Sequence, residues 1–193
     1  MRRLVLKMSM SLDGFVAGPN GEMDWSQRAR SKDSGAWVLD TLQSADVHLM
    51  GAGFYTETRS YWSKASGPMA AAMNDTPKVV ATHSAKPAAS GGDGTWKSPY
   101  IADGNLDVDV QRLKDGPGEV ILVNGGVRLA RSLVRLGLVD EYRLVIAPIA
   151  LGTGRSIFSD LAAPLDLALV DTTVFSGGIV AQTLVPKHTK PRT

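Results

Sequence analysis

The stretch Glu119–Gly137, EVILVNGGVRLARSLVRLG, decides the fold class. Glu119–Val123 is a short, strongly apolar run, the pattern of a buried strand. Asn124-Gly125-Gly126 breaks it, and Val127–Leu136 turns helical. Leu129, Leu133 and Leu136 face one way there, and Arg128, Arg131 and Arg135 another. Gly137 is a natural left-handed stop. A buried strand that passes through two glycines into an amphipathic helix is half of a parallel βα unit.

The same alternation extends outward. Leu4, Leu6, Met8 and Met10 lie on one face of a strand, with Val5, Lys7 and Ser9 on the other. Ser11 to Asp24 is a loop marked by Asp13-Gly14 and Gly18-Pro19-Asn20-Gly21. A helix is predicted over Ser34 to Asp46, with Asp33 or Ser34 as its N-cap. Val47–Met50 and Lys78–Thr82 read as short buried strands. Residues 85–105 read as loop with a short strand near Tyr100–Ile101, and a helix follows over Asp107–Lys114. Glu141–Ile149 is a long strand. Leu167–Phe175 and Ile179–Val185 form a hairpin around Ser176-Gly177-Gly178. The expected class is α/β, a central and mainly parallel sheet with a C-terminal antiparallel hairpin and helices on both faces. Residues 1–186 are expected to form one domain, and 187–193 a basic tail.

The chain has 193 residues, 44% hydrophobic and 21% charged, enough for one well-filled core. Twenty-one basic residues against 19 acidic ones leave a net charge of +2, with no footprint for nucleic acid. No run approaches the roughly 18–20 apolar residues of a membrane span. Lys7 interrupts the first apolar run and no small-residue cleavage site follows, so a cytoplasmic protein is expected. There is no cysteine, which excludes thiolate chemistry and cysteine-based zinc sites. His48, His83 and His188 have no ligand spacing, and no metal is expected. Neither a nucleophile elbow nor a P-loop occurs.

Four segments could carry chemistry. Gly125-Gly126 would let backbone approach a phosphate at a helix N-terminus, or simply make a tight turn with positive φ. Met8–Gly18 is a strand opening into a glycine-rich loop, either a substrate cover or a plain surface turn. Val47–Glu57 repeats the pattern of strand, glycine turn and helix. Lys78–Ser84 ends in two hydroxyls and an imidazole. In a parallel sheet these strand ends share one edge, where ligands bind.

In this order the segments SLDGFVAGPNG (11–21), VHLMGAGFYTE (47–57), KVVATHS (78–84), LKDGPGEVILVNGG (113–126) and LVDEYRLVIAPIALGTGRSIF (138–158) resemble the dihydrofolate reductase fold. Within it they are similar to the reductase (C-terminal) domain family of the bifunctional riboflavin-pathway deaminase-reductase. The likeness covers residues 4–185, as for a stand-alone member. It implies an NADPH-dependent reductase with eight or nine strands, usually a homodimer.

Carried over by resemblance, Gly125, Gly126 and Val127 would meet the cofactor pyrophosphate, with Arg128 and Leu129 beside it. Gly51, Ala52 and Gly53 would begin the adenosine-side turn, Thr82, His83 and Ser84 would flank the ribose, and Ala17 and Gly18 would approach the nicotinamide. Asp13 would root the substrate loop, with Trp25 on the substrate side and Pro148, Gly152 and Gly154 shaping floor and rim. Arg59 and Lys64 are either a substrate-phosphate clamp or exposed surface charges. Many relatives carry arginine where this chain has Ala52, so NADH stays open beside NADPH unless His83, Lys86 or Arg59 substitutes. The catalytic acid of the fold would fall on Asp33 or Asp24. The expected reaction is hydride transfer to a small pteridine- or pyrimidine-like substrate, including a ribosylamino-pyrimidine phosphate. The alternative is a non-catalytic nucleotide- or pterin-binding module. Gly126→Val is expected to cost cofactor binding, with Arg131→Ala as the solvent-facing comparison.

Overall fold

The computed structural model describes residues 1–82, 96, 100–102 and 105–187. The first strand, β1 (Arg3–Ser11), is followed by a loop that includes a 3-10 turn at Asp24–Gln27. Then come α1 (Lys32–Gln43), β2 (Val47–Gly51), α2 (Ala52–Trp62), α3 (Pro68–Asp75), β3 (Lys78–Thr82), β4 (Tyr100–Ala102), α4 (Leu106–Lys114), β5 (Val120–Val123), α5 (Val127–Arg135), β6 (Glu141–Ala147), β7 (Leu167–Val174) and β8 (Val180–Pro186). The eight strands form one sheet in the order β4-β3-β2-β5-β1-β6-β8-β7. All pairings from β4 to β6 are parallel, and β8 is antiparallel to both β6 and β7. Among the described residues no helix is long and apolar enough to cross a membrane.

Helices cover both faces, which is why the central strands are mostly apolar. Ile121 and Val123 pack with Leu4, Leu6, Leu129 and Leu133 on the α5 side. Val120 and Leu122 pack with Val5, Met50, Leu42 and Tyr55 on the side of α1 and α2. The inward period of β1 therefore sends Val5, Lys7 and Ser9 toward α1.

Three of the boundaries that differ from the sequence reading have a plain physical cause. Helix α1 starts at Lys32 because Ser31 precedes it as cap: its N–H donates to Ser34 Oγ at 3.0 Å. Asp33 and Ser34 thus lie inside the first turn. The helix stops at Gln43 because Asp46 is held elsewhere, accepting the N–H groups of Glu119 (2.6 Å) and Val120 (2.8 Å). Strand β6 ends at Ala147, before Pro148, which has no N–H to offer a ladder. On α5, Leu129 and Leu133 are buried with Ala130 and Val134, but Leu136 is a 46% exposed C-cap. The expected tail lies, from residue 188 on, outside the described residues.

Candidate active site

The carboxyl ends of β1, β2, β3 and β5 open into a cleft of about 1180 Å³. Strand β5 meets it through Asn124, Gly125 and Gly126, β2 through Gly51, and β3 through Ala81 and Thr82; Lys7, Met8 and Ser9 of β1 line it as well. Its position follows from topology, since loops at this edge leave room between adjacent crossovers.

Two helices begin at the cleft side by side. Gly125 and Gly126 have φ of +116° and +83°, which an L side chain adopts only with strain. They also admit Phe54: a Cβ on Gly125 would lie 2.7 and 2.9 Å from two ring carbons, and one on Gly126 would lie 3.4 Å from Phe54 Cβ. The glycines therefore serve the turn and the packing of α2 against α5, whatever binds nearby. A valine at Gly126 is for that reason no clean probe of a phosphate contact. Neither α2 nor α5 has a side-chain cap or an acidic residue in its first turn. The first N–H groups of a helix have no intrahelical acceptor and carry partial positive charge. Both helix starts thus suit an anion.

The opposite side of the cleft is built from Lys7, Ser9, Ser34, Val38, Val145 and Ile179, with Arg30 at its rim. Lys7 is only 8% exposed. Among the described residues its ammonium has no hydrogen-bond or ion-pair partner. Its neighbour in register on β6, Arg143, is already matched with Glu141 at 2.6 Å. Burial, and then the charge of Arg30, pull Lys7 down to about 8.

Most residues expected to hold a cofactor line this cleft: Ala17, Gly51, Ala52, Gly53, Thr82, Gly125, Gly126, Val127, Arg128 and Leu129. Gly18 does not; it makes a turn in which its N–H donates to Glu22 O at 2.9 Å. His83, Ser84 and Lys86 lie outside the described residues.

The expected acids are not brought to the cleft. Asp33 spans to the β7–β8 turn, accepting Ser176 N at 2.9 Å and Ser176 Oγ at 3.1 Å. Hydrogen bonds from Ser31 and Ser176 hold it down to about 2, so it is a fixed anion and no proton donor near neutrality. Asp24 is exposed and faces Arg28 at 3.6 Å.

The expected substrate residues stand around the cleft without lining it. Asp13 accepts the N–H groups of Gly152 (2.7 Å) and Leu151 (3.0 Å) and the Ser11 hydroxyl (2.6 Å). The Ser11 hydroxyl first, with those backbone donors, lowers it to about 2. It ties the loop after β1 to residues 148–155, which include Pro148 and Gly152. Backbone bonds add to that tie, Leu12 N to Ile149 O at 2.7 Å, Val16 N to Arg155 O at 2.9 Å and Arg155 N to Ala17 O at 2.8 Å. Trp25 is buried and donates to Glu22 O at 3.1 Å, wedging the same loop. Arg59 lies on α2 away from the cleft lining. Arg131, expected on an outer face, donates to Ser156 O at 2.8 and 3.0 Å, so Arg135 is the exposed residue of that helix suited to comparison.

Residues 2–181 match the family model of the RibD C-terminal domain. The chain is 34% identical over 184 residues to the uncharacterized protein YyaP of Bacillus subtilis (strain 168), covering 93% of this chain and 92% of YyaP. Among solved structures, a Shewanella sp. PV-4 protein named for riboflavin biosynthesis aligns with a TM-score of 0.75 at 20% identity, over 96% of this chain and 99% of that one. A Thermotoga maritima diaminohydroxyphosphoribosylaminopyrimidine deaminase/5-amino-6-(5-phosphoribosylamino)uracil reductase aligns at 0.68 and 16% identity, over 96% of this chain and 57% of its own length. Dihydrofolate reductase of Enterococcus faecalis, complexed with NADP(H), aligns at 0.58 and 12%, over 95% and 96%. At these identities the structures establish the dihydrofolate reductase-like fold. The family match over nearly the whole chain, and the YyaP identity over the same span, carry the closer relation: the chain belongs to the RibD C-terminal domain family.

Proposed function

We propose that this protein is an NADPH-dependent reductase that delivers hydride to a small pteridine- or pyrimidine-like substrate, a ribosylamino-pyrimidine phosphate among the candidates. One observation carries the reading. Two uncapped helix starts share the cleft at the ends of the parallel strands with a buried lysine that has no partner among the described residues. The helix starts of α2 and α5 fit the pyrophosphate of a dinucleotide, each first turn contributing on the order of 0.3–1 kcal/mol toward an anion. The Thermotoga deaminase/uracil reductase and the Enterococcus dihydrofolate reductase, the latter complexed with NADP(H), support the same class of chemistry.

When bound, the reduced nicotinamide supplies the hydride. The rest falls to the chain. Val145 and Ile179 give an apolar wall that excludes water from one side of a flat ring. Ser9 offers a hydroxyl to its polar edge. Lys7 presents an ammonium whose lowered pKa makes it a ready donor: as hydride arrives at a C=N or C=O carbon, its proton passes to the heteroatom. Among the described lining residues, Glu57 and Asp109 are the only carboxylates, and they belong to α2 and α4, away from Lys7. Lysine therefore replaces the expected Asp33 or Asp24 in this role.

Calorimetry with NADPH and NADH, joined to absorbance assays with pteridines and ribosylamino-pyrimidine phosphates, tests the proposal. Binding near micromolar, about 8 kcal/mol, is expected. No binding of either nucleotide overturns the reading, and binding without turnover on any such substrate favours a non-catalytic module.

A homodimer is part of the same proposal. Strand β7 is an edge, and Leu169, Val170 and Val174 on it are 55%, 62% and 72% exposed. An apolar edge of this kind invites pairing. Light scattering at micromolar concentration is expected to give twice the chain mass, and a monomer mass refutes it.

A further inference from the structure

The two ends of the cleft carry different cations. Lys7 and Arg30 serve the β1–α1 end, and Arg155 is engaged with the loop after β1, donating to Pro19 O at 3.2 Å. At the α2–α5 end stands Arg128, the second residue of α5. Its Nη2 lies 3.6 Å from the point that a Cβ on Gly53 would occupy. We propose that Arg128 is the residue by which this protein distinguishes a 2′-phosphorylated adenine dinucleotide from an unphosphorylated one. The inference rests on the nicotinamide-cofactor reading above and assigns its specificity.

Three features support it. With a pyrophosphate at the start of α5, the adenosine half extends along Ala52, Gly53 and Thr82, which line that end. The first residues of α2 that it meets, Ala52 and Gly53, offer no side chain beyond a methyl, and the one acid of α2 that lines the cleft, Glu57, lies a turn further on. Arg128 fills that space from the neighbouring helix. Its charge is also uncompensated. It sits in the first turn of its own helix and beside the first turn of α2, both positive ends, and neither turn contains an acid. Among the described residues the guanidinium has no carboxylate or carbonyl partner. A phosphate monoester would cancel this repulsion, and the planar fork of arginine matches its oxygens two at a time.

The test is calorimetry on the full chain with NADPH, NADH, 2′,5′-ADP and 5′-ADP. The parent should bind NADPH about 10–100-fold more tightly than NADH, the size of one strong charge-assisted contact. Arg128→Ala should bring that ratio close to one, weakening NADPH and 2′,5′-ADP and sparing NADH and 5′-ADP. Arg128→Lys, which keeps the charge without the fork, should fall between. The residue is exposed, so the variants should fold, and circular dichroism checks this. Equal loss for both members of each pair would place Arg128 on the pyrophosphate and overturn the inference while leaving the reductase reading intact. A preference that survives Arg128→Ala, or a parent without preference, overturns it too. A parent that binds none of the four defeats both readings.

Discussion

Replacing Lys7 with methionine is expected to lower turnover about 10²–10⁴-fold, the range for loss of a positioned proton donor, with NADPH affinity unchanged. Asp33→Asn, by contrast, should leave turnover intact, because Asp33 holds the β7–β8 turn rather than the cleft. Stopped absorbance assays on both variants decide between the two residues. Loss of activity in Asp33→Asn with Lys7→Met unaffected would reverse the assignment. The pH profile gives a second readout. Lys7 donates only while protonated, so kcat/KM should fall as pH rises through about 8, the value to which burial and Arg30 bring it. Lys7→Met should remove that limb.

Stability moves in the opposite sense to activity. The folded-state value near 8 lies below the ordinary 10.5 of the unfolded chain. Between those values the unfolded state holds more protons, so stability rises with pH across that window. Lys78, brought to about 8 chiefly by burial, adds to the same slope. Methionine at position 7 removes a buried charge that lacks a counter-ion among the described residues. It should fold at least as stably as the parent, as apolar replacements of buried charges often do. A variant both more stable and inactive would identify Lys7 as a residue kept for chemistry.

Gly125→Ala is expected to destabilise the protein strongly. Its φ of +116° and the adjacent Phe54 ring act together. Backbone strain of about 1–3 kcal/mol and overpacking of about 1–3 kcal/mol set the scale. Gly137→Ala is the control. It has φ of +66° and nothing within 4 Å of an added Cβ, so only the left-handed penalty of about 1–2 kcal/mol applies. Urea denaturation of both proteins measures the difference. Adding Phe54→Ala to Gly125→Ala should recover the steric part through a favourable coupling between contacting sites. Equal costs at the two glycines, or no coupling to Phe54, would show that the packing of α2 on α5 is looser than the structure describes.

The local sequence determined a great deal of this molecule. The alternation of β1, the apolar run of β5, the glycine pair and the α5 stripe are decided by periods of 2 and 3.6 residues, which need no distant partner to be recognised. The order of strand, turn and helix then sends Gly51, Thr82 and Gly125 to one sheet edge, and most of the expected cofactor residues line the cleft there. What only the tertiary structure decided are features made by atoms far apart in the chain. Asp46 ends α1 because its acceptors are needed by β5, 73 and 74 residues away. Asp33 is spent on Ser176, 143 residues on, and Asp13 on Gly152. A carboxylate's chemistry depends on which donors reach it, and spacing along the chain does not record that. Lys7 shows the boundary between the two. Its inward parity on a strand was legible, and a strand covered on both faces cannot turn a lysine to water. That it stands in a cleft with no counter-ion among the described residues follows only once β6 and α1 have packed beside it.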